Sequence, residues 1–229
     1  EFDLNQPYTL TEQYLQLRGE KLTDNTQDEL NRMWRNNCIN DTYEPGSTFK
    51  IITAATALET GAVTLNDHIT CTGSIGVADR RIRCAKVTGH GTQDFAQTLQ
   101  NSCNPAFITW GLRAGKDNML EYMSRLGLLE KTGIDLPGEA TTIMHKPENI
   151  KELDLAIMSF GQSFQITPLE LLRGVSAVVN GGTLITPHFG VRYIDAEGQI
   201  TDLEYEKQEN VISSKTSDTM KELLKSVVE

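Results

Sequence analysis

The sequence has no apolar run of the ~18 residues that a membrane-spanning helix requires. Residues 1–8 also lack the basic-then-apolar pattern of a signal peptide, so we expect any membrane anchor to lie outside this segment. Basic residues are in the minority, because 21 Lys and Arg stand against 31 Asp and Glu, and the formal net charge is −10. This balance argues against a surface that neutralises nucleic-acid phosphates, and we expect no nucleic-acid partner.

Cysteine is also scarce. Four cysteines in 229 residues are too few for a disulfide scaffold, and their number does not identify the redox compartment. The residues that are present include 38% hydrophobic and 23% charged side chains, which is typical of a globular domain and excludes a disordered chain. At ~150 residues per domain, the length predicts one large domain or one and a half.

Helical patterns dominate the middle of the chain. They predict helices over 11–18, 47–61, 92–100, from Pro105 onward, 119–129 and 169–179. Apolar side chains lie almost all round the 47–61 segment, which predicts a helix that runs through the domain interior. Strand pairs are predicted around Val77–Ala78 and around 195–198, and a last amphipathic helix reaches Glu229. This order of elements predicts an α+β fold.

Ser47 and Lys50 are the first candidates for chemistry. At positions i and i+3 of a helix their side chains are neighbours, so the amine can reach the hydroxyl. Lysine can act as a base for serine only if burial lowers its pKa, and the apolar helix provides that burial. The helix N-terminus adds backbone N–H donors that can stabilise an oxyanion. The alternative is that Ser47 caps the helix and Lys50 extends into solvent.

Two motifs together indicate a family. Tyr43-Glu-Pro-Gly-Ser47-Thr-Phe-Lys50 followed by Asn101-Ser102-Cys-Asn104-Pro105 resembles the transpeptidase domain of class B penicillin-binding proteins. Further blocks that resemble this class cover roughly residues 35–190 in the expected order: Arg35-Asn-Asn, His90-Gly-Thr-Gln, Thr132 to Glu139, Gly161-Gln162, Thr167-Pro-Leu169 and Asn180-Gly-Gly. The segment with Cys71, Cys84 and His90 is similar to the sporulation-specific member of the class.

The resemblance implies a central antiparallel sheet with an all-helical subdomain and a peptidoglycan D,D-transpeptidase activity. It implies that Ser47 forms an acyl-enzyme with D-Ala-D-Ala stem peptides or with β-lactams. It further implies that Lys50 is the base, that Ser102 relays a proton or orients Lys50, and that Asn104 binds Lys50 and substrate. Acyl transfer requires no cofactor. The implied location is the extracytoplasmic side of a bacterial membrane, with a membrane glycosyltransferase as partner.

One motif of the family is displaced. The family's Lys-Ser/Thr-Gly motif lies on an edge strand late in the domain, whereas Lys131-Thr-Gly133 comes 29 residues after Ser102 and just before a Pro-Gly turn. We therefore expect the true motif beyond Glu229. The predicted organisation is a polar N-terminal flap over 1–42, a catalytic helical core over 43–190, and a strand pair with the start of a helix over 191–229, all in one incomplete transpeptidase domain.

The cysteines predict a second centre. Strands that pair around Val77–Ala78 place Cys71 opposite Cys84, and His90 and Asp94 complete four candidate ligands for a structural zinc ion. A cross-strand disulfide and plain buried thiols remain open alternatives. We expect Cys103 to point into the core as a small apolar side chain.

Two functions from different classes fit these motifs. One is the transpeptidase, and the other is a non-catalytic penicillin sensor or cell-wall assembly module that retains the serine. The Ser-x-x-Lys pattern is common to both classes, so turnover of a stem peptide after acylation is needed to distinguish them.

Overall fold

A computed structural model describes residue 3 and residues 5–228, so Glu1 and Glu229, the outer ends of the predicted ranges, lie outside the described residues. The helices are α1 (Glu12–Arg18), α2 (Thr26–Trp34), α3 (Asn37–Asn40), α4 (Lys50–Glu59), α5 (Phe95–Gln100), α6 (Asn104–Ala114), α7 (Lys116–Arg125), α8 (Glu152–Met158), α9 (Pro168–Val179) and α10 (Ser214–Val228). The strands are β1 (His68–Cys71), β2 (Ser74–Val77), β3 (Arg80–Arg83), β4 (Gly91–Asp94), β5 (Leu184–Ile185), β6 (Arg192–Ile194), β7 (Ile200–Asp202) and β8 (Lys207–Gln208).

Helix α4 lies at the centre of the helical packing, where it contacts α6, α7, α9 and α10. Its Ile52, Ala54 and Ala55 side chains have no exposed surface. Alanine on several faces lets neighbouring helices approach closely. The predicted interior helix is therefore confirmed, except that its first turn, Gly46–Phe49, is a 3₁₀ turn and the α-helix begins at Lys50.

Helix α6 packs against α4 and supplies the largest buried ring. Cys103 is its N-cap and proline occupies its first turn, where a missing N–H costs nothing because that group has no intrahelical partner. Phe107, Ile108 and Trp110 are fully buried, as the sequence predicted. The corner before α6 is thus anchored by a helix that cannot shift without opening the core.

The strand pairs among the described residues are all two-stranded and antiparallel. The predicted register around Val77–Ala78 is wrong. Strand β2 pairs with β3 with Ser74 opposite Arg83, and Cys71 belongs to β1, where it lies opposite Gly91 of β4. The tight turn falls one residue later than predicted because Ala78 adopts a positive φ of 50°. The predicted pair around 195–198 is confirmed as β6 and β7.

The N-terminal helices α1 and α2 are joined through one buried carboxylate. Glu29 has no exposed surface and accepts hydrogen bonds from Tyr14 Oη at 2.6 Å, Arg18 Nε at 3.0 Å and Arg32 Nη1 at 2.7 Å. These bonds, from the Arg18 and Tyr14 side chains above all, hold the Glu29 pKa far below its usual range. An ionised carboxylate is costly to bury unless it is paired, so this cluster requires both helices.

The mixture of packed helices and short antiparallel strands confirms the α+β class. Lys131-Thr-Gly133 lies in a loop and in no strand, in agreement with its rejection as the family's third motif. Among the described helices, none combines the length and the hydropathy that a membrane crossing demands.

Candidate active site

Ser47 lies in the 3₁₀ turn that leads into α4. The turn is held by the segment after α8, because Gly46 N–H donates to the Gly161 carbonyl at 2.8 Å. Gly161 has a φ of 85°, and a Cβ there would overlap the Gly46 carbonyl. Only glycine combines this positive φ with so close an approach of two backbones. The position of the Ser47 hydroxyl therefore depends on a contact between residues more than 100 positions apart.

Lys50, one turn after Ser47, is 1% exposed. Its Nζ lies 3.1 Å from Ser47 Oγ, 2.8 Å from Ser102 Oγ, 2.7 Å from the Ser102 carbonyl and 2.7 Å from Asn104 Oδ1. The Phe107 ring lies beneath it, 5.6 Å from Nζ to the centroid. The alternative in which Lys50 extends into solvent is therefore wrong, because the side chain is enclosed and its polar atom has four partners.

Burial sets the charge of this amine. Desolvation lowers the Lys50 pKa to about 8, against a smaller opposing effect of the nearby Cys103 and Cys84 side chains. At neutral pH about a tenth of the amines are therefore neutral, since the pKa lies about one unit above the pH. A neutral amine has a lone pair that can accept the Ser47 proton.

The corner between α5 and α6 brings the second set of groups to Lys50. Helix α5 ends at Gln100, and Ser102 turns the chain with a φ of 46°, a left-handed conformation that a non-glycine residue adopts at an energetic cost. Asn104 then accepts from Lys50 through Oδ1 and donates through Nδ2 to the Arg83 carbonyl at 3.2 Å. The amide orientation is fixed by these two bonds. The four predicted catalytic residues are thus within one hydrogen-bonded group.

This arrangement has the parts required for acyl transfer. It contains a hydroxyl nucleophile, an amine of lowered pKa within reach, and a second hydroxyl on the same amine that can carry a proton onward. The geometry fits a serine nucleophile with a lysine base.

Cys71, Cys84 and His90 form a second cluster, and its fourth member is Cys103. The ligand atoms of these four residues all lie within 4.8 Å of one another, and Cys84 Sγ is 3.5 Å from His90 Nδ1. All four cysteines of the chain are free thiols, and the three in the cluster are buried. Cys103 is buried as predicted, but it faces the other two thiols and is not simply packed among apolar side chains.

Asp94 lies outside this cluster, which corrects its predicted place as the fourth ligand. Its Oδ1 accepts from the Gln97 backbone N–H at 2.8 Å, so the carboxylate caps α5 and takes part in a capping box. The sequence signal for Cys103 was its position between two predicted catalytic residues. Cys103 lies on the same corner as Ser102 and Asn104, and because successive side chains of an extended chain point to opposite sides, its thiol points away from those two side chains.

The protonation of the cluster follows from burial and N–H donors. Burial raises the Cys103 pKa to about 12, against a smaller opposing effect of the Gln93 side chain. At Cys71 burial acts in the same direction, but N–H groups of Gly73 and His90 outweigh it and the pKa is lowered. Burial, with Lys86 and Lys50 nearby, lowers the His90 pKa and so favours the neutral ring.

Thr167, from one of the blocks that resemble the family, is fully buried. Its Oγ1 accepts from the Glu170 N–H at 3.1 Å, and the Glu170 carboxylate accepts from the Thr167 N–H at 2.6 Å. This reciprocal pair is the N-terminal cap of α9. Thr167 therefore has a structural role at the start of α9.

Comparisons with known proteins point to one family. The family model described as the penicillin binding protein transpeptidase domain matches residues 9–229. Stage V sporulation protein D of Bacillus subtilis is 43% identical over 200 residues, which covers 85% of this chain and 30% of that protein. Penicillin-binding protein PbpB of Mycolicibacterium smegmatis is 26% identical and is matched over 96% of this chain and 34% of its own length. The chain thus spans about a third of these curated relatives.

Solved structures show the same fold. Penicillin binding protein 3 of Mycobacterium tuberculosis in complex with aztreonam superposes with a TM-score of 0.79 at 23% identity, over 85% of this chain and 43% of that one. The D,D-transpeptidase domain of a peptidoglycan glycosyltransferase from Eggerthella lenta gives a TM-score of 0.77 at 24% identity, over 85% and 50% of the two chains.

Proposed function

The chain belongs to the penicillin-binding protein transpeptidase family, within class B, and from that premise we propose that it is a serine-type peptidoglycan D,D-transpeptidase. The observation that carries the proposal is the position of Lys50 Nζ, within hydrogen-bond distance of Ser47 Oγ, Ser102 Oγ and Asn104 Oδ1 together.

Acylation begins when the neutral Lys50 amine takes the Ser47 proton. Ser47 Oγ bonds to the carbonyl carbon between the two D-alanines, and the carbonyl π electrons move to the oxygen of the tetrahedral intermediate. The C–N bond then breaks as the leaving nitrogen receives a proton through the Ser102 hydroxyl, which regains one from the Lys50 ammonium. D-alanine leaves, and the stem peptide is held as an ester on Ser47.

Cross-linking reverses these proton transfers. The amine of a second stem peptide attacks the ester carbonyl and loses a proton to Lys50 through Ser102, and Ser47 Oγ leaves and is reprotonated. Asn104 keeps Lys50 oriented in both half-reactions, since its other end is fixed to the Arg83 carbonyl.

Acylation by a β-lactam tests this assignment directly. The complete protein should gain the mass of one β-lactam, and Ser47→Ala should abolish the adduct while circular dichroism remains that of the parent. An adduct that persists in Ser47→Ala would remove this serine from its role. Release of D-alanine with transfer to an amine acceptor then separates the enzyme from a penicillin sensor, which would form the adduct without turnover.

We further place the catalytic domain on the extracytoplasmic side of a bacterial membrane, held by an anchor elsewhere in the protein. Peptidoglycan is assembled there, and a glycosyltransferase that polymerises the glycan is the expected partner. The identity to Stage V sporulation protein D supports a function in sporulation. Expression of a fluorescent fusion during sporulation and vegetative growth tests both the location and the stage.

For the cysteine cluster we propose a structural zinc site with Cys71, Cys84, His90 and Cys103 as ligands. Three thiolates and one imidazole suit tetrahedral Zn²⁺, and the four ligand atoms already lie close together. The ion would hold the Ser102–Asn104 corner from behind, because Cys103 belongs to it. Elemental analysis of protein purified without chelators should give one zinc per chain, whereas a 2 Da mass deficit without zinc would identify a disulfide.

A further inference from the structure

The hairpin formed by β2 and β3 concentrates positive charge in an acidic protein. Between residues 71 and 92 the chain has four basic residues, Arg80, Arg81, Arg83 and Lys86, and a single acidic one, Asp79. The whole chain carries a net charge of −10. A basic segment in such a chain is set apart from the rest of the surface and attracts anionic groups.

Two of these arginines point to the same face of the hairpin. Successive side chains of a strand alternate, so Arg81 and Arg83 share the outer face, while Ile82 packs with Ile75 against the core. Gly76 lies opposite Arg81, and space around its Cα is open. The outer face therefore has room for a ligand beside the guanidinium groups.

A depression of about 470 Å³ lies on this face, lined by Thr72, Gly73, Ser74, Arg81, Arg83 and Val87. Arg81 Nε donates to Ser74 Oγ at 2.7 Å, which orients its guanidinium along the wall. Among the described residues, neither Arg81 nor Arg83 has a carboxylate within ion-pair distance, whereas Arg80 lies 3.9 Å from Asp79. The remaining donors of both guanidinium groups are therefore open to an external acceptor.

Strand β3, which supplies one wall of this depression, contacts the catalytic group through its backbone. The Arg83 carbonyl accepts from Asn104 Nδ2 at 3.2 Å, and Asn104 Oδ1 accepts from Lys50 at 2.7 Å. One side chain thus separates strand β3 from the base of the reaction. A peptide held at Ser47 that continued past Asn104 would therefore meet strand β3 next.

We propose that Arg81 and Arg83 bind a free carboxylate of the stem peptide that is held at Ser47, away from its D-Ala-D-Ala end; this rests on the proposed function. Stem peptides carry such carboxylates, and amidation converts them into carboxamides. A guanidinium binds a carboxylate through two parallel charge-assisted hydrogen bonds, which a neutral carboxamide cannot reproduce. The site would therefore select the free acid over the amide.

The test compares two donor peptides that differ only in this group, one with the free carboxylate and one with the carboxamide. The kcat/KM for D-alanine release is measured with excess amine acceptor, using the full-length protein. We expect the parent to prefer the free acid by about tenfold, as befits a hydrogen bond to a charged group. The double variant Arg81→Gln, Arg83→Gln should lose this preference.

Arg80→Gln is the matched control, because it removes one positive charge from the same hairpin outside the depression and should retain the preference. An equal loss in Arg80→Gln would assign the effect to charge alone and overturn the proposal. So would a parent that does not distinguish the peptides, or a double variant that keeps the preference. Acylation by a β-lactam, measured in parallel, reports on Ser47 itself, so failure of the proposed function is distinguishable. If the double variant does not fold, Arg81→Gln alone must reduce the preference.

Discussion

The pH dependence of acylation follows from the environment of Lys50. An amine of pKa 10.5 that is lowered to about 8 by burial has lost about 3 kcal/mol of preference for its charged form. Only the neutral amine can accept the Ser47 proton. The second-order rate of β-lactam acylation should therefore rise about tenfold between pH 7 and pH 9 and level off above about pH 8 to 9. At an unperturbed amine the rise would be about a hundredfold over the same range and would continue beyond pH 10.

Stopped-flow measurement with a chromogenic β-lactam between pH 6 and pH 10 can resolve these cases. Far-ultraviolet circular dichroism at each pH controls for unfolding. The Ser102→Ala variant tests whether the inflection in the pH profile belongs to Lys50, because this variant should react more slowly but keep the pH profile of a single base. A log-linear rise up to pH 10, or a rate that is flat across the whole range, would refute the role of a desolvated lysine.

Three other outcomes are expected. Gly161→Ala should lower the free energy of unfolding in urea by about 2 kcal/mol or more and slow acylation, because the new Cβ would displace Gly46. Gly181→Ala is the control, since Gly181 also has a positive φ but lies in open space. It should lower the free energy of unfolding by about 1 kcal/mol and leave acylation unchanged. Removal of zinc by a chelator should lower Tm and slow acylation, and zinc should restore both; an unchanged Tm would refute a structural ion. The Glu29 pKa is lowered in the folded protein, so the ionised Glu29 carboxylate stabilises the fold above the ordinary pKa of glutamate. This contribution is lost as the pH falls below about 4. Limited proteolysis at such a pH should then cut the α1–α2 region first.

The sequence was sufficient to predict that the four candidate catalytic residues meet, because each pair of them is close along the chain. Ser47 and Lys50 are one helical turn apart, and Ser102 and Asn104 lie on one corner before a proline. The resemblance to the family then implied that these two segments lie together in the folded protein. The helix over 47–61 was predictable from its apolar surroundings, although the 3₁₀ geometry of its first turn depends on the contact with Gly161 and leaves no signal in the turn itself.

The register of the cysteine segment could not be predicted. A single hairpin with its turn at Val77–Ala78 would place Cys71 opposite Cys84. The chain instead forms two strand pairs, β2 with β3 and, outside that hairpin, β1 with β4. The thiols meet nevertheless, since Cys84 N–H donates to the Gly73 carbonyl at 2.9 Å, close to Cys71. Asp94 was a plausible ligand by spacing, but a helix start competes for the same carboxylate and captures it.

The corner at 102–104 has little freedom to vary. The Ser102 and Asn104 side chains bind the Lys50 amine, the Cys103 side chain lies with two other thiols and an imidazole, and the backbone at Ser102 is already strained. A substitution at positions 102–104 that weakened β-lactam binding would disturb both the Lys50 hydrogen bonds and the cysteine–histidine cluster. In a laboratory selection for β-lactam resistance, surviving lineages should therefore carry their changes at other walls of the cleft and leave these three positions untouched.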